Sequence, residues 1–325
     1  MRKLICLLLT LSIILSIGLV SCSATAKDTG KGIADTLRVA VASDITSLDP
    51  HIGKEIAAVV VTTNIYATLL KLDEDGGLVP YVAESWDVID DTTIDFKIRE
   101  GITFHDGSKL TAEDVAFSLN RAINSQYVSY IINYASNAEV IDEYTVRLHL
   151  HAPYIGSLIN LAVPFTAIVP KAVVEANPNA LTEKPVGCGP YKFVKWEHGN
   201  YCQIEAYDDF FMDKAKMKNI MFRIIPEGSQ RTIALETGEV DLAYDLPVNE
   251  LSIVENNKDL QLYSTASLNT WYISMNVEKE ILSDPRVRQA VRYALNVQEI
   301  IDSILYGAGK VANSLVPPAA TGYVE

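Results

Sequence analysis

The sequence lacks the short motifs that mark several large classes of enzyme. It contains no G-x-x-x-x-G-K-[ST] phosphate loop, no G-x-G-x-x-G after a predicted strand and no G-x-S-x-G turn. Neither an H-E-x-x-H pair nor a C-x-x-C pair is present. No coupled nucleophile and base stands out elsewhere in the chain. These absences argue against an enzyme, because each motif supplies groups that its chemistry needs.

Basic residues are scarce. Lys and Arg number 27 against 41 Asp and Glu, which gives a formal net charge of −14 over 325 residues. Nucleic acids and anionic lipids favour a basic protein surface, so the acidic balance argues against both as partners. Hydrophobic residues make up 49% of the chain, enough for a large core. The length suggests about two domains.

Cysteine is rare, and the two cysteines of the main body are placed badly for a disulfide. The segments YKFVKW and YCQIEAY predict a hairpin in which Cys202 faces Lys195. Cys188 lies seven positions before Lys195, more than about 20 Å away at ~3.3 Å per residue. A disulfide needs Cα atoms within about 7 Å. We therefore expect Cys188 and Cys202 to be free, mostly buried thiols.

The few histidines do not form a convincing metal site. His149 and His151 lie two apart in a predicted strand and share a face, but Arg147 shares that face too and opposes a cation. We interpret this set as a solvated strand face and predict neither metal nor cofactor. His105, in TFHDG, is interpreted as a turn residue. His51, in SLDPH, is interpreted as a loop residue that could also face a ligand.

The N-terminus is typical of an exported lipoprotein. Arg2 and Lys3 precede the apolar run Leu4–Val20, as in a signal peptide. The run ends in LVSC, which resembles the bacterial lipobox, with Cys22 as the thiol that receives the lipid. An uncleaved membrane anchor with a chance cysteine is the alternative. The first interpretation makes residues 1–22 a lipoprotein signal peptide.

A short polar segment follows the signal. Residues 23–35, SATAKDTGKGIAD, are small, polar and glycine-containing, which is typical of a flexible tether. A lipid anchor and a tether predict a protein held on the outer face of a membrane.

The main body mixes strands and helices without strict alternation, and no internal repeat is evident. Thr111 and Asp114 have the spacing of a capping box and predict the start of the clearest helix. Another helix is predicted to start at Pro285 and to turn its apolar side to a core. Further helices are expected over about 54–70 and from a Ser229 cap to Gly238. Strands are expected over TLRVAVAS, TTIDFKIREG, TVRLHLHAP and LNTWYISMN.

Several side chains could line a ligand site. Asp245 follows Tyr244 at a predicted strand end, where ligand sites often lie. Trp271 has polar neighbours and suits a cleft wall or a core equally well. We interpret Glu239 as a surface residue.

Five segments, in order, resemble one protein family. REGITFHDGSKLTAEDVAFSLNRA is similar to the signature of the large solute-binding proteins of peptide and nickel ABC importers. SLDPH, VGCGPYKFVKWE, RIIPEGSQRTIALETGEVDLAY and NTWYISMNVEKEILSDPRVRQAVRYALN also agree with that family. The likeness runs from about residue 36 to the end of the chain. Cys188 departs from it, since the family more often has Thr between the two glycines.

The resemblance implies a mixed α/β, two-lobed periplasmic-binding-protein-like fold with an extra subdomain. Residues 36–68 and 182–270 would form the first lobe, 69–181 the extra subdomain, and 271–325 the start of an incomplete second lobe. A ligand would lie between the lobes, which close by hinge motion. The family implies capture of an oligopeptide or dipeptide outside the membrane and delivery to a permease driven by an ATPase. It also implies a monomer that performs no chemistry.

Ligand-facing residues follow from the resemblance by position. They lie after Pro50, in the extra subdomain, at the end of a strand and at the start of the second lobe: Lys54, Glu55, Ile56, Tyr127, Tyr244, Asp245 and Trp271. In peptide binders of the family, an Asp of the second lobe pairs with the amino terminus of the ligand, and that segment lies beyond residue 325.

Other ligands and roles stay open. Nickel–chelate, haem or sugar binding is the nearest alternative on the same scaffold. A surface sensor, chaperone or adhesin lipoprotein is a different class, and an enzyme is the third.

The last ten residues, VPPAATGYVE, complete no helix or strand pattern. By the resemblance, we expect the chain to be truncated there, with exposed apolar faces over 271–325. We also expect residues 1–325 alone to bind peptide weakly or not at all.

Overall fold

The computed structural model of the chain describes residues 35–265, 268–318, 320 and 323. Strands and helices are mixed along the chain, as the sequence predicts. The predicted signal peptide and its lipidation residue Cys22 lie outside the described residues. Within the part that is described, no helix has the length and apolar character to cross a membrane.

One sheet combines parallel and antiparallel strands. Its order among the described residues is β11-β1-β10-β9-β8, and β1 runs parallel to both β10 and β11. The strands β9 and β8 add antiparallel pairs. The bounds are β1 Thr36–Val41, β8 Tyr191–Glu197, β9 Tyr201–Ala206, β10 Asn219–Ile224 and β11 Leu242–Ala243.

The first strand forms because its β-branched residues suit a buried centre strand. Val39 and Val41 are buried, which confirms the strand prediction for TLRVAVAS. Helix α1 (Ile56–Ile65) follows, but it ends five residues earlier than predicted. Tyr66 is already extended, and Gly189 N–H donates to the Ile65 carbonyl at 2.8 Å. That bond occupies an acceptor at the helix end, so the chain leaves the helix there.

The hairpin of β8 and β9 is displaced by one residue from its predicted register. Cys202 pairs with Trp196 and Lys195 pairs with Gln203, because the two strands are joined by a three-residue loop, 198–200, instead of the predicted four residues. The bulge after Phe193 returns the pairs beyond it to the predicted register. Cys188 and Cys202 are nevertheless free and buried, as predicted. Burial raises the pKa of each thiol to about 12, which keeps both protonated.

A second, antiparallel sheet has the order β4-β5-β7-β6. Along each of its two central strands, β5 and β7, buried and partly exposed residues alternate, and the buried face carries apolar side chains. A small hairpin of β2 and β3 lies before it in sequence. The bounds are β2 Leu70–Leu72, β3 Leu78–Pro80, β4 Ala83–Asp90, β5 Thr93–Ile98, β6 Ala135–Asp142 and β7 Thr145–Leu150.

This second sheet is built from two matching hairpins, which the sequence reading missed. AESWDVIDDTTIDFKI (83–98) and ASNAEVIDEYTVRLHL (135–150) align without a gap and share five of sixteen residues. The register shifts at matching places in β4 and β6. Asp95 pairs across the centre of the sheet with Arg147, its own counterpart 52 positions later. A pseudo-two-fold axis therefore passes through this pair. The prediction of no internal repeat is wrong because five shared residues are hard to tell from common strand alternation.

Helix α2 (Ala112–Ile123) starts with the predicted capping box. Thr111 N–H donates to the Asp114 carboxylate at 3.0 Å. Helix α5 (Gly228–Glu236) begins two residues earlier than predicted, because Glu227 accepts the Ser229 N–H at 2.9 Å and so replaces Ser229 as the cap. The remaining helices are α3 Ser129–Ile132, α4 Lys171–Ala176, α6 Leu251–Asn256, α7 Glu280–Ser283, α8 Pro285–Ala294 and α9 Val297–Ile304.

Two predictions for the last part of the chain are wrong. The segment LNTWYISMN (268–276) forms no strand, since no neighbouring strand pairs with it among the described residues. Helix α8 does begin at Pro285, after an Asp284 cap at 2.8 Å from Arg286 N–H. Its apolar side is not buried in a core, since none of the residues of the helix is buried.

Candidate functional site

The carboxyl ends of the three parallel strands β11, β1 and β10 meet at one edge of the first sheet. Open α/β sheets bind ligands outside this edge. The loop 42–55 follows β1, residues 225–227 follow β10, and residues 244–247 follow β11. Lys54, Glu55, Tyr244 and Asp245 are on these segments. We call this edge, with its three segments, the carboxyl edge.

The structure brings Tyr127 to the loop that carries Lys54. Lys54 Nζ lies 5.7 Å from the centre of the Tyr127 ring, within the range of a cation–π contact. Ser125 Oγ donates to the His51 carbonyl at 3.0 Å and accepts from the Tyr127 N–H at 3.1 Å. Lys54 and Tyr127 are both exposed. The two residues are therefore held together on an open surface, although they are far apart in sequence.

Glu55 presents a carboxylate oxygen that is shielded from solvent. Its Oε1 accepts from Thr46 Oγ1 at 2.6 Å. Its Oε2 is buried and accepts no hydrogen bond from any described residue. An unsatisfied buried acceptor costs free energy, so this oxygen can gain from a donor that arrives from outside. Ile56 follows in the first turn of α1 and is 62% exposed.

Tyr244 and Asp245 leave β11 in a constrained turn. The Tyr244 N–H donates to the Ala40 carbonyl at 3.1 Å, which continues the ladder with β1 by one residue. Asp245 has φ 53°, a left-handed conformation that is uncommon for a residue other than glycine. Both side chains are exposed.

A buried arginine beneath this turn was missed by the sequence reading. Arg231, on α5, is 5% exposed. Its guanidinium donates to the carbonyls of Ile225 (2.8 Å) and Pro226 (2.9 Å), and to those of Tyr244 (3.1 Å) and Asp245 (2.5 Å). The only sequence signal is an arginine three residues before buried Ala234, on the inward side of the helix.

The structure does not bring Trp271 to the other candidates. Its side chain is 84% exposed, in the stretch that forms no strand. No described contact joins it to the carboxyl edge. Glu239 lies on the surface, as expected, where it pairs with Arg223.

His51 does not face an open site. It is 1% exposed, with Nε2 3.0 Å from the Ala167 carbonyl and Nδ1 2.8 Å from an Arg121 nitrogen. Arg121 also holds Asp49 through two hydrogen bonds of 2.8 and 2.6 Å. Burial, and then the positive charge of Arg121, lowers the pKa of His51 to about 4. The ring is therefore neutral near pH 7, and it belongs to a buried structural cluster.

The other histidines also have structural partners. His149 lies 3.0 Å from Glu139, and Arg147 makes hydrogen bonds of 2.7 and 2.8 Å to Asp95, so these two side chains of β7 are held in ion pairs. His151 was predicted to share their strand, but β7 ends at Leu150. His105 accepts from the Gly187 N–H and lies 3.0 Å from the Gly189 carbonyl, while burial lowers its pKa to about 4. Within the described residues, no group of three or more His, Cys, Asp or Glu could hold a metal ion.

Comparison with known proteins decides the family. Residues 77–325 match the family described as bacterial extracellular solute-binding proteins, family 5 Middle. The chain belongs to this family. The glutathione-binding protein GsiB of Escherichia coli K12 is 31% identical over 306 residues, which is 92% of this chain. The chain spans only 58% of the length of that relative.

Solved structures agree with this assignment. The periplasmic binding protein DppA of Helicobacter pylori, in complex with the peptide STSA, superposes with a TM-score of 0.80 and 29% identity. That match covers 89% of this chain and 62% of DppA. NikZ of Campylobacter jejuni, in complex with Ni(L-His), gives a TM-score of 0.76 and 30% identity over 87% of this chain and 58% of NikZ. The predicted fold class, a mixed α/β fold like that of the two-lobed periplasmic binding proteins, is confirmed.

Proposed function

We propose that the protein is the solute-binding component of an ABC importer, which captures a peptide outside the membrane and delivers it to the permease and its ATPase. Membership of the solute-binding family carries the general role. GsiB, which is named for binding glutathione, itself a tripeptide, and DppA, whose structure is a complex with the peptide STSA, support a small peptide as the ligand. We further propose that the protein binds its ligand without changing it, as a monomer that needs no cofactor.

The ligand would bind at the carboxyl edge. The observation that carries this proposal is that Lys54, Glu55, Tyr244 and Asp245 lie on the segments that leave parallel strands β1 and β11. Tyr127 would extend the surface through its contact with Lys54. Peptides are commonly held by backbone hydrogen bonds and hydrated side-chain pockets. Exposed polar groups beside Ile56 suit that mode of binding. Trp271 would join the site only when the lobes close.

The domain limits remain part of the proposal. The first sheet uses strands from 36–41 and 191–243, which supports a first lobe built from 36–68 and 182–270. The second sheet uses only residues 83–150, which supports an extra subdomain over 69–181. Residues 271–325 would begin the second lobe.

We propose that the protein acts outside the cell membrane, tethered through lipid on Cys22. The family is extracellular by description, and the LVSC sequence supports lipidation at that cysteine. Globomycin treatment of cells that express the complete gene tests this, because it blocks lipoprotein signal cleavage. Accumulation of the uncleaved form is expected for the native sequence, and a Cys22→Ala variant should show no lipid labelling.

Isothermal calorimetry on the protein from its complete gene tests the ligand class. STSA, glutathione and nickel–histidine are titrated separately. Saturable heat with a peptide and none with nickel–histidine is the expected result. Heat from neither peptide would contradict the proposal. Nickel–chelate binding is the second candidate, because NikZ is as similar to this chain as the peptide binder DppA is; saturation with nickel–histidine alone would favour it.

A further inference from the structure

Arg231 occupies a position that the proposed function does not explain by itself. Its guanidinium is buried, yet no carboxylate among the described residues pairs with it. All four of its hydrogen bonds go to backbone carbonyls. Burying a cation is unfavourable unless hydrogen bonds satisfy it. A hydrophobic side chain at position 231 could fill the same buried space without the cost of burying a cation. The four hydrogen bonds therefore point to a specific role for the arginine.

The carbonyls belong to the exits of two strands. Ile225 and Pro226 follow β10, whereas Tyr244 and Asp245 follow β11. These two strands flank β1 on opposite sides. The guanidinium therefore spans the end of the central strand and fixes one exit relative to the other. A planar group with five N–H donors in a rigid fork can do this, and an ammonium group cannot.

The hydrogen bonds of Arg231 also hold Asp245, the residue of the turn that has a left-handed backbone conformation. Asp245 has φ 53°, and its carbonyl accepts from the Arg231 guanidinium. A left-handed conformation persists only where the surroundings impose it. Arg231 supplies that constraint through the Asp245 carbonyl, while Asp245 itself stays exposed to solvent.

We propose that Arg231 is the positioning residue of the carboxyl edge, which holds Tyr244 and Asp245 in the single conformation that meets the ligand. This inference rests on the proposed function, in that the ligand binds at this edge. It assigns no contact between Arg231 and the ligand. The arginine acts through the backbone of the two residues that it holds.

Arg231→Lys tests the role while keeping the positive charge. We expect hydrogen exchange of a peptide spanning residues 240–248 to become at least tenfold faster, with exchange in β9 unchanged. We expect affinity for STSA, measured by calorimetry on the protein from the complete gene, to fall at least tenfold. The matched control is Arg223→Lys, on the neighbouring strand end, where the partner is the exposed Glu239. It should leave both values within twofold.

Unchanged exchange at 240–248 in folded Arg231→Lys would overturn the inference. If unsubstituted protein binds neither STSA nor glutathione, the proposed function fails, and the exchange measurement still decides the inference.

A second pair of variants covers the case in which Arg231→Lys does not fold. Asp245→Asn and Asp245→Val both remove the charge, but only Asn tolerates the left-handed conformation. We expect exchange at 240–248 to be native-like in Asp245→Asn and at least tenfold faster in Asp245→Val, with STSA binding at least fivefold weaker in the Val variant than in the Asn variant. Equal exchange and equal affinity in the two variants would overturn the inference.

Discussion

Arg121 and Asp49 form a bidentate ion pair that joins helix α2 to the loop after the first strand. The two hydrogen bonds measure 2.8 and 2.6 Å, and the Asp49 side chain is fully shielded from solvent. Arg121 also contacts His51. The pair therefore connects α2, which follows the β4–β5 hairpin of the second sheet, with loop 42–55, which carries Lys54.

Removing the arginine should destabilise the protein strongly. Arg121→Ala leaves the Asp49 carboxylate buried without its partner, and breaking a buried pair typically costs about 3–5 kcal/mol. Urea unfolding followed by circular dichroism measures the loss. The control is Arg38→Ala, which breaks the exposed ion pair with Asp241 and should cost about 1 kcal/mol or less. Equal losses in the two variants would contradict the account of the buried pair.

Acidification should weaken the fold before it protonates the carboxylates. His51 and His105 have pKa values of about 4 in the folded protein, below the ordinary 6.5. The unfolded chain therefore takes up protons first as the pH falls, so the free energy of unfolding decreases from about pH 6.5 down to about pH 4. Each histidine can contribute on the order of 3 kcal/mol to this decrease.

Thermal melts between pH 4 and pH 7.5 check this dependence. His51→Gln should flatten the curve, since it removes one of the two groups. A native protein equally stable at pH 4.5 and pH 7 would refute the prediction.

The pseudo-two-fold sheet predicts that its central ion pair can be exchanged. Arg147→Asp alone places two carboxylates opposite each other and should lower the melting temperature. The exchange of both residues, Asp95→Arg with Arg147→Asp, should restore most of the loss, because the axis makes the two positions nearly equivalent. For comparison, the two residues of the Lys192–Glu205 ion pair, which lies on no such axis, are swapped in the same way. The change in melting temperature of that double variant is the reference value. A double variant as unstable as the two single losses combined would count against equivalence.

Gly187 should not tolerate a side chain. A Cβ atom there would lie 2.1 Å from the Ile65 carbonyl oxygen, at the end of α1. Gly187→Ala must therefore displace backbone, and overpacking of this kind costs typically 1–3 kcal/mol. Chemical unfolding measures it. At Gly77 the nearest atoms belong to the flexible Asp73 carboxylate, so Gly77→Ala should cost less; the reverse order would be inconsistent with the close approach.

Much of the fold could be predicted where a local pattern decides the element. The alternation in β7, the capping box of Thr111 and the Pro285 start of α8 are all local signals, and each was confirmed. LNTWYISMN failed for the opposite reason. Its β-branched and aromatic residues fit a strand, but a strand also needs a pairing partner, which a propensity cannot supply. The same limit applies to α8. Its apolar periodicity predicts a buried side, but burial also needs a packing partner, and none of its residues is buried.

The candidate site was only partly predictable. Tyr244 and Asp245 could be placed at a strand end from the sequence, whereas Lys54 came from the family resemblance. The parallel pairing of β1 with β11 places the segments that carry these residues at the same edge of the sheet. The contact of Tyr127 with Lys54 depends on tertiary packing. The role of Arg231 could not be predicted from the sequence, because its hydrogen-bond partners in the described structure are backbone carbonyls, and every residue has one.

The most direct test of the central claim is hydrogen exchange with and without peptide. The protein from its complete gene is labelled alone and with saturating STSA, and peptides covering 44–56 and 240–248 are compared with one covering 83–98 in the second sheet. If the ligand binds at the carboxyl edge, STSA slows exchange in the first two segments and leaves the third unchanged. Saturable binding of STSA with no protection at either segment would contradict a ligand site at the carboxyl edge.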